Sequence, residues 1–146
     1  MTPDVDLAPA AFEDLAVGDE PPGLTVGPVS REDFVRYAGA SGDFNPIHFD
    51  EDAAAAAGND SYIGQGMFTA GVLSAMVVDW LGLEPIRSFS TRFARPVEPG
   101  ERLRASGEVV ERDPTERSIE ADLSVRTLDG ATVVTGRTTA VLPRRS

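Results

Sequence analysis

The seventeen residues "GMFTAGVLSAMVVDWLG", Gly66 to Gly82, decide how this chain folds. Only one of them, Asp79, is charged, and apolar residues fall on every side of a 3.6-residue period. Ala70, Gly71, Ser74 and Ala75 are small enough for neighbouring backbone to come close. The pattern predicts a long helix buried on most of its sides. Its apolar run, Met67 to Val78, falls short of the roughly 20 residues needed to cross a bilayer. The helix therefore needs a cover, and the rest of the chain must supply it.

Downstream of this helix the period changes to two. In "IRSFSTRFAR" (86–95), Phe89, Thr91 and Phe93 share a face, and in "RLRASGEVVER" (102–112) Leu103, Ala105, Gly107 and Val109 do. "SIEADLSVRT" (118–127) sets Ile119, Ala121, Leu123 and Val125 against Glu120, Asp122, Ser124 and Arg126, and "ATVVTGRTTAVL" (131–142) closes the series after the turn Leu128–Gly130. Upstream, "LTVGPV" reads as one short strand whose Gly27 and Pro28 suit an edge. Ser30 with Asp33 resembles a cap for a helix over "REDFVRYAGA", ending at Gly39 or Gly42. Asp50 opens a second short helix that Gly58 stops. The predicted class is α+β, with an antiparallel sheet wrapped around the long central helix. Residues 13–146 form one domain behind a loose N-terminal tail, 1–12.

Composition narrows the chemistry. The absence of cysteine excludes disulfides, thiolate nucleophiles and Cys-ligated metals, and fits the cytoplasm. All 13 basic residues are arginine, so Schiff-base chemistry, pyridoxal phosphate anchoring and the usual P-loop have no lysine to use. One histidine gives no basis for a His-rich zinc or iron site. A net charge of -11 argues against general binding to nucleic acid or anionic membrane. The N-terminus has neither a basic leader nor an apolar core, so no signal peptide is expected.

The sole histidine lies in "SGDFNPIHFDEDAAAAAG" (41–58), five residues after Asp43. Pro46 removes a donor and pushes Asn45 out of helical geometry, so the segment must be extended or turned. Asn45 is suited to fixing such a curl through side-chain bonds to nearby backbone. A carboxylate and an imidazole that share a substrate divide acid and base work near neutral pH. From residue types alone, an ordinary turn with an exposed or hydrogen-bonded loop histidine is the commoner reading.

The longer pattern "YAGASGDFNPIHFD" (37–50) followed by "GQGMFTAGVLSAM" (64–76) resembles the MaoC-like family of (R)-specific enoyl-CoA hydratases and 3-hydroxyacyl-carrier-protein dehydratases. The likeness runs from about Val17 to Leu142, and the short length looks especially like the catalytic small subunits of actinobacterial fatty-acid dehydratases. The resemblance implies the hot-dog fold. It implies Asp43 and His48 as the catalytic pair, Asn45 as loop support, and Gly66 as the backbone donor to a thioester carbonyl. Ser74 matches a serine that assists the acid. It further implies reversible syn addition of water to an acyl thioester, on CoA or a carrier protein, with no metal or organic cofactor. One departure stands out: the family often has histidine before the glycine, and here the residue is Gln65.

Arg87, Arg92 and Arg95 are candidates to meet the phosphates of a CoA or phosphopantetheine arm, or else belong to a solvated strand face. Hot-dog domains bury their sheets by pairing, so the family likeness implies a dimer, with a second copy or another hot-dog subunit. Two rival readings are a non-catalytic partner subunit and an acyl-thioester hydrolase. The hydrolase needs a carboxylate aimed from the central helix, where Asp79 is the only acid and lies near the end.

Overall fold

A computed structural model describes residues 10–146. In chain order it contains β1 (Leu24–Val26), α1 (Arg31–Ser41), α2 (Glu51–Ala56), α3 (Gly66–Leu81), β2 (Ile86–Phe93), β3 (Leu103–Asp113), β4 (Ser118–Thr127) and β5 (Thr132–Val141). The strands form one antiparallel sheet in the order β1-β3-β4-β5-β2. β1 sits at one edge, as Gly27 and Pro28 foretold, and β2 at the other. The α+β reading holds. Most of the tail expected over 1–12 lies outside the described residues, but Phe12 is buried and its N–H donates to Pro143 O at 2.9 Å.

The alternation in the last three strands translates directly into burial. Leu103, Ala105, Val109, Ile119, Ala121, Leu123, Val125 and Ala140 point to one face and are sealed there with Leu73, Met76, Val77 and Leu81 of α3. Gly107, Leu123 and Gly136 are paired across β3, β4 and β5 where the helix crosses. A Cβ on Gly136 would meet Leu73 Cδ2 at 3.1 Å, and one on Gly107 would meet Leu123 Cδ2 at 2.9 Å. The glycines thus let a bulky helix face settle onto the sheet. The opposite sheet face carries Ser106, Ser124, Thr135 and the Arg137–Asp122 pair at 2.8 Å.

The central helix departs from expectation on one point. Thr69, Ala70, Leu73, Met76, Val77 and Leu81 are buried, but Met67, Gly71, Ala75 and Asp79 are exposed along a line of i, i+4 positions. One sheet covers one side of a helix, and among the described residues no second layer lies over the other. β2 forms a free edge of the sheet, where Phe93 lies against the start of α3 at Gly66, with Phe89 36% and Phe93 48% exposed. No described helix is long and apolar enough to cross a membrane.

Candidate active site

The site begins where α1 stops. Ser30 and Asp33 form the expected reciprocal cap at the start of α1, and Gly42, in the left-handed region at φ 77°, ends it. Ser41 Oγ donates to Tyr37 O at 2.8 Å and accepts from Asp43 N at 3.2 Å, which fixes the first step out of the helix. Asp43 Oδ1 then accepts from Asn45 N, and Asn45 Oδ1 from Ile47 N, both at 3.2 Å. These two side-chain turns replace the local bonds that Pro46 cannot donate. Pro46–His48 closes as a single 3-10 turn, and Asp50 immediately caps α2 through Ala53 N. The curl assigned to Asn45 is therefore present.

This curl turns His48 inward. The residue is only 7% exposed, and its Nδ1 lies 2.8 Å from Ile63 O. A carbonyl oxygen only accepts, so Nδ1 carries the hydrogen and, in the neutral ring, Nε2 holds the free lone pair. Nε2 faces Asp43 Oδ2 at 3.4 Å, too long for a well-formed hydrogen bond. Asp43 is the outer member of the pair, with its side chain 47% exposed. A basic nitrogen and a carboxylate oxygen thus face one small gap, and both retain capacity for a third partner.

Ile63 links this pair to the helix. Its N–H donates to Ile47 O at 3.1 Å while its carbonyl holds the imidazole. Gly64 N donates to Val97 O at 2.8 Å, and Gln65 Nε2 donates to Phe34 O at 2.8 Å. Gly66 follows as the exposed first residue of α3. It lies three positions after the residue whose carbonyl holds His48, a span of at most about 10 Å. Gln65 occupies the N-cap position but makes no side-chain bond to the helix; Phe68 N donates to Gln65 O at 3.1 Å, and the Gly66 and Met67 amides ahead of it have no partner among the described residues. Gly66 also lies against Phe93, whose ring would be 3.3 Å from a Cβ at that position.

The other expected participants are placed less centrally. Ser74 is half-buried two turns along α3, and its hydroxyl donates to Gly71 O at 3.0 Å within the helix. Arg95 is engaged by Glu101 through both carboxylate oxygens, at 2.6 and 3.3 Å, and this pair holds its guanidinium above the ordinary arginine pKa. Arg87 folds back on the carbonyls of Glu84 and Pro85. Arg95 falls in the bend after β2 rather than on the expected strand, and of the three arginines only Arg92 lacks such a partner among the described residues. It lies on the outer sheet face, in an open polar groove of about 610 Å³ with Ser90, Ser124 and Arg137. That groove contains none of the expected catalytic residues, so its size is no guide to the chemistry. No group of three or more metal-ligating side chains is clustered among the described residues.

Two contributors escaped the sequence reading. The Ile63 carbonyl is backbone and leaves no mark in residue type. Gln65 is 1% exposed and bonds to α1, which its position before Gly66 did not reveal.

Known proteins share this arrangement of elements. Residues 16–131 match the MaoC like domain family. An (R)-specific enoyl-CoA hydratase of Rhodospirillum rubrum is 30% identical over 143 residues, 96% of either chain. The structure of the R-hydratase PhaJ1 from Pseudomonas aeruginosa superposes with a TM-score of 0.82 at 27% identity, covering 94% of this chain and 88% of that one. A chain of the ChsH1-ChsH2 complex from Mycobacterium tuberculosis gives 0.76 at 26% identity, covering 87% and 98%. With a family match over most of its length and a relative aligned end to end, this chain belongs to the MaoC-like family.

Proposed function

We propose that this protein catalyses the reversible addition of water to 2-enoyl thioesters, giving (R)-3-hydroxyacyl thioesters, with Asp43 and His48 as its acid–base pair. The observation that carries the reading is the fixed imidazole. Ile63 O holds the proton on Nδ1, so Nε2 is a base, and it faces Asp43 at 3.4 Å. A water whose oxygen lies about 2.8 Å from each atom bridges that gap and donates one hydrogen to each. In hydration, Nε2 takes a proton from this water as its oxygen bonds to Cβ. The Cα=Cβ electrons move onto the thioester oxygen. That oxygen is stabilised by the Gly66 N–H at the helix N-terminus, where donors are unpaired and the dipole is positive. The proton then passes from His48 through Asp43 to Cα, which restores both groups. Asn45 keeps the loop in register. Dehydration runs the same steps backward.

The substrate arrives on CoA or on a carrier protein, in the cytoplasm. The chain acts as a dimer, with a copy of itself or with another hot-dog subunit. The half-exposed Phe89 and Phe93 on the free edge of β2, where Phe93 lies against the start of α3, support this pairing. The purified protein should run in light scattering at about twice 15.5 kDa. Phe89→Glu should shift it to the monomer, and a monomeric wild type that is fully active would remove the pairing from the account.

Loss of the conjugated enone absorbance of a 2-enoyl-CoA on addition of enzyme tests the activity. Release of free thiol without formation of a 3-hydroxyacyl thioester favours the hydrolase reading, which Asp79, exposed near the C-terminal end of α3, does little to support. If the protein hydrates nothing until a second subunit is added, the partner-subunit reading gains.

A further inference from the structure

We propose that Gln65 is a positioning residue for this reaction, an inference that rests on the hydratase reading above. Its amide ties α1, which ends two residues before Asp43, to the residue directly before Gly66, and so sets the distance between the carboxylate and the helix donor. The position is an N-cap, where a short polar side chain ordinarily bonds the helix amides. Gln65 instead reaches across to Phe34 O in α1 at 2.8 Å. That carbonyl lies within α1 and already has the Ala38 amide as its helical partner, so the extra bond is not needed to satisfy it.

The other end of the amide strengthens the case. Gln65 Oε1 is buried and finds no donor among the described residues. The amide cannot turn over to correct this, because Oε1 would then oppose the Phe34 carbonyl. A buried acceptor without a partner lowers stability, and an apolar side chain of the same shape would avoid the loss. Apolar packing already holds the two helices together. The rings of Phe34 and Phe68 are 5.8 Å apart and those of Tyr37 and Phe68 5.9 Å, both edge-on. What the amide adds is a directional bond that stops α1 sliding on the start of α3. A local cost of this kind, kept beside a site, is the pattern functional sites carry.

Gln65→Met, similar in length and free of polar atoms, separates the two roles. Its Tm should equal or exceed that of wild type. Its kcat for enoyl-CoA hydration should fall about tenfold or more, with KM within about twofold, because the loss lies in alignment. Gln65→His, whose ring N–H can reach the same carbonyl, should recover most of the lost rate. A Met variant with wild-type kcat overturns the proposal, as does one that loses stability and rate together. A wild type that hydrates no 2-enoyl thioester refutes the underlying reading and this role with it. An active wild type matched by an equally active Met variant refutes this role alone.

Discussion

His48→Ala and Asp43→Asn should each lower the rate of 2-enoyl-CoA hydration by about 100-fold or more, the scale of a general acid–base contribution. Asp43→Asn is the cleaner change. The amide keeps the size of the carboxylate, and its oxygen can still accept from Asn45 N, so the turn that carries the residue survives. What disappears is the capacity to receive a proton from His48 and pass it on. His48→Ala also removes a buried ring and frees the Ile63 carbonyl, so some loss of stability should accompany the loss of rate. The double variant separates the two effects. Groups that act on one proton path are not additive, so it should be little slower than the slower single variant. Unchanged rates in both singles would end the acid–base assignment, and a rate equal to the product of two independent losses would break the pair into separate actors.

Gly64→Ala should produce the largest loss of stability of any single methyl added near the site. The methyl would overlap Val97 Cγ1 and lie 2.8 Å from Phe34 Cε1, and both of those side chains are fully buried. Neither neighbour has open space to move into, and overpacking of this kind costs about 1–3 kcal/mol or somewhat more. For a chain of this length the corresponding drop in Tm is about 5–10 °C. The clash also pushes on the segment that holds His48 from one end and presents Gly66 at the other, so activity should fall at temperatures where the protein is still folded. Val97→Ala removes the atom that is struck. The double variant should therefore be more stable than the sum of the two single losses, as expected for residues in contact. A Gly64→Ala protein that melts within about 2 °C of wild type would show that the segment yields more readily than its packing implies.

What could be read from the chain in advance follows the range of each interaction. The Ser30–Asp33 cap and the Asp50 cap were legible because three residues separate donor from acceptor and the residue types are distinctive. β4 was legible to the residue, since apolar and polar positions alternate from Ser118 to Thr127 without a break. The environment of α3 was misread because apolar character states that a side should be covered, not what covers it. Met67, Gly71 and Ala75 look the same in sequence whether a strand of this chain or another subunit lies over them. The partners of Arg87 and Arg95 were hidden for a related reason. Arg95 finds Glu101 only because the chain loops back between them, and strand periodicity says nothing about that loop.

The candidate site divides the same way. Asp43, Asn45 and His48 could be named because proline and asparagine constrain the chain locally and because the run matches a specific family pattern. The feature that gives the histidine its chemical sense, the Ile63 carbonyl at Nδ1, arises from a contact between residues fifteen positions apart. Residue type is silent about such a contact, because every residue in the chain has a carbonyl. The direction of the Gln65 side chain is equally a tertiary fact, set by where α1 comes to rest on the start of α3.

The most direct test is a crystal structure of the Asp43→Asn protein holding a 2-enoyl-CoA. The account predicts the thioester oxygen about 3 Å from Gly66 N, with Cα and Cβ over the gap between residue 43 and His48 Nε2. A thioester bound with its carbonyl away from α3, or with its double bond beyond reach of the imidazole, would contradict it.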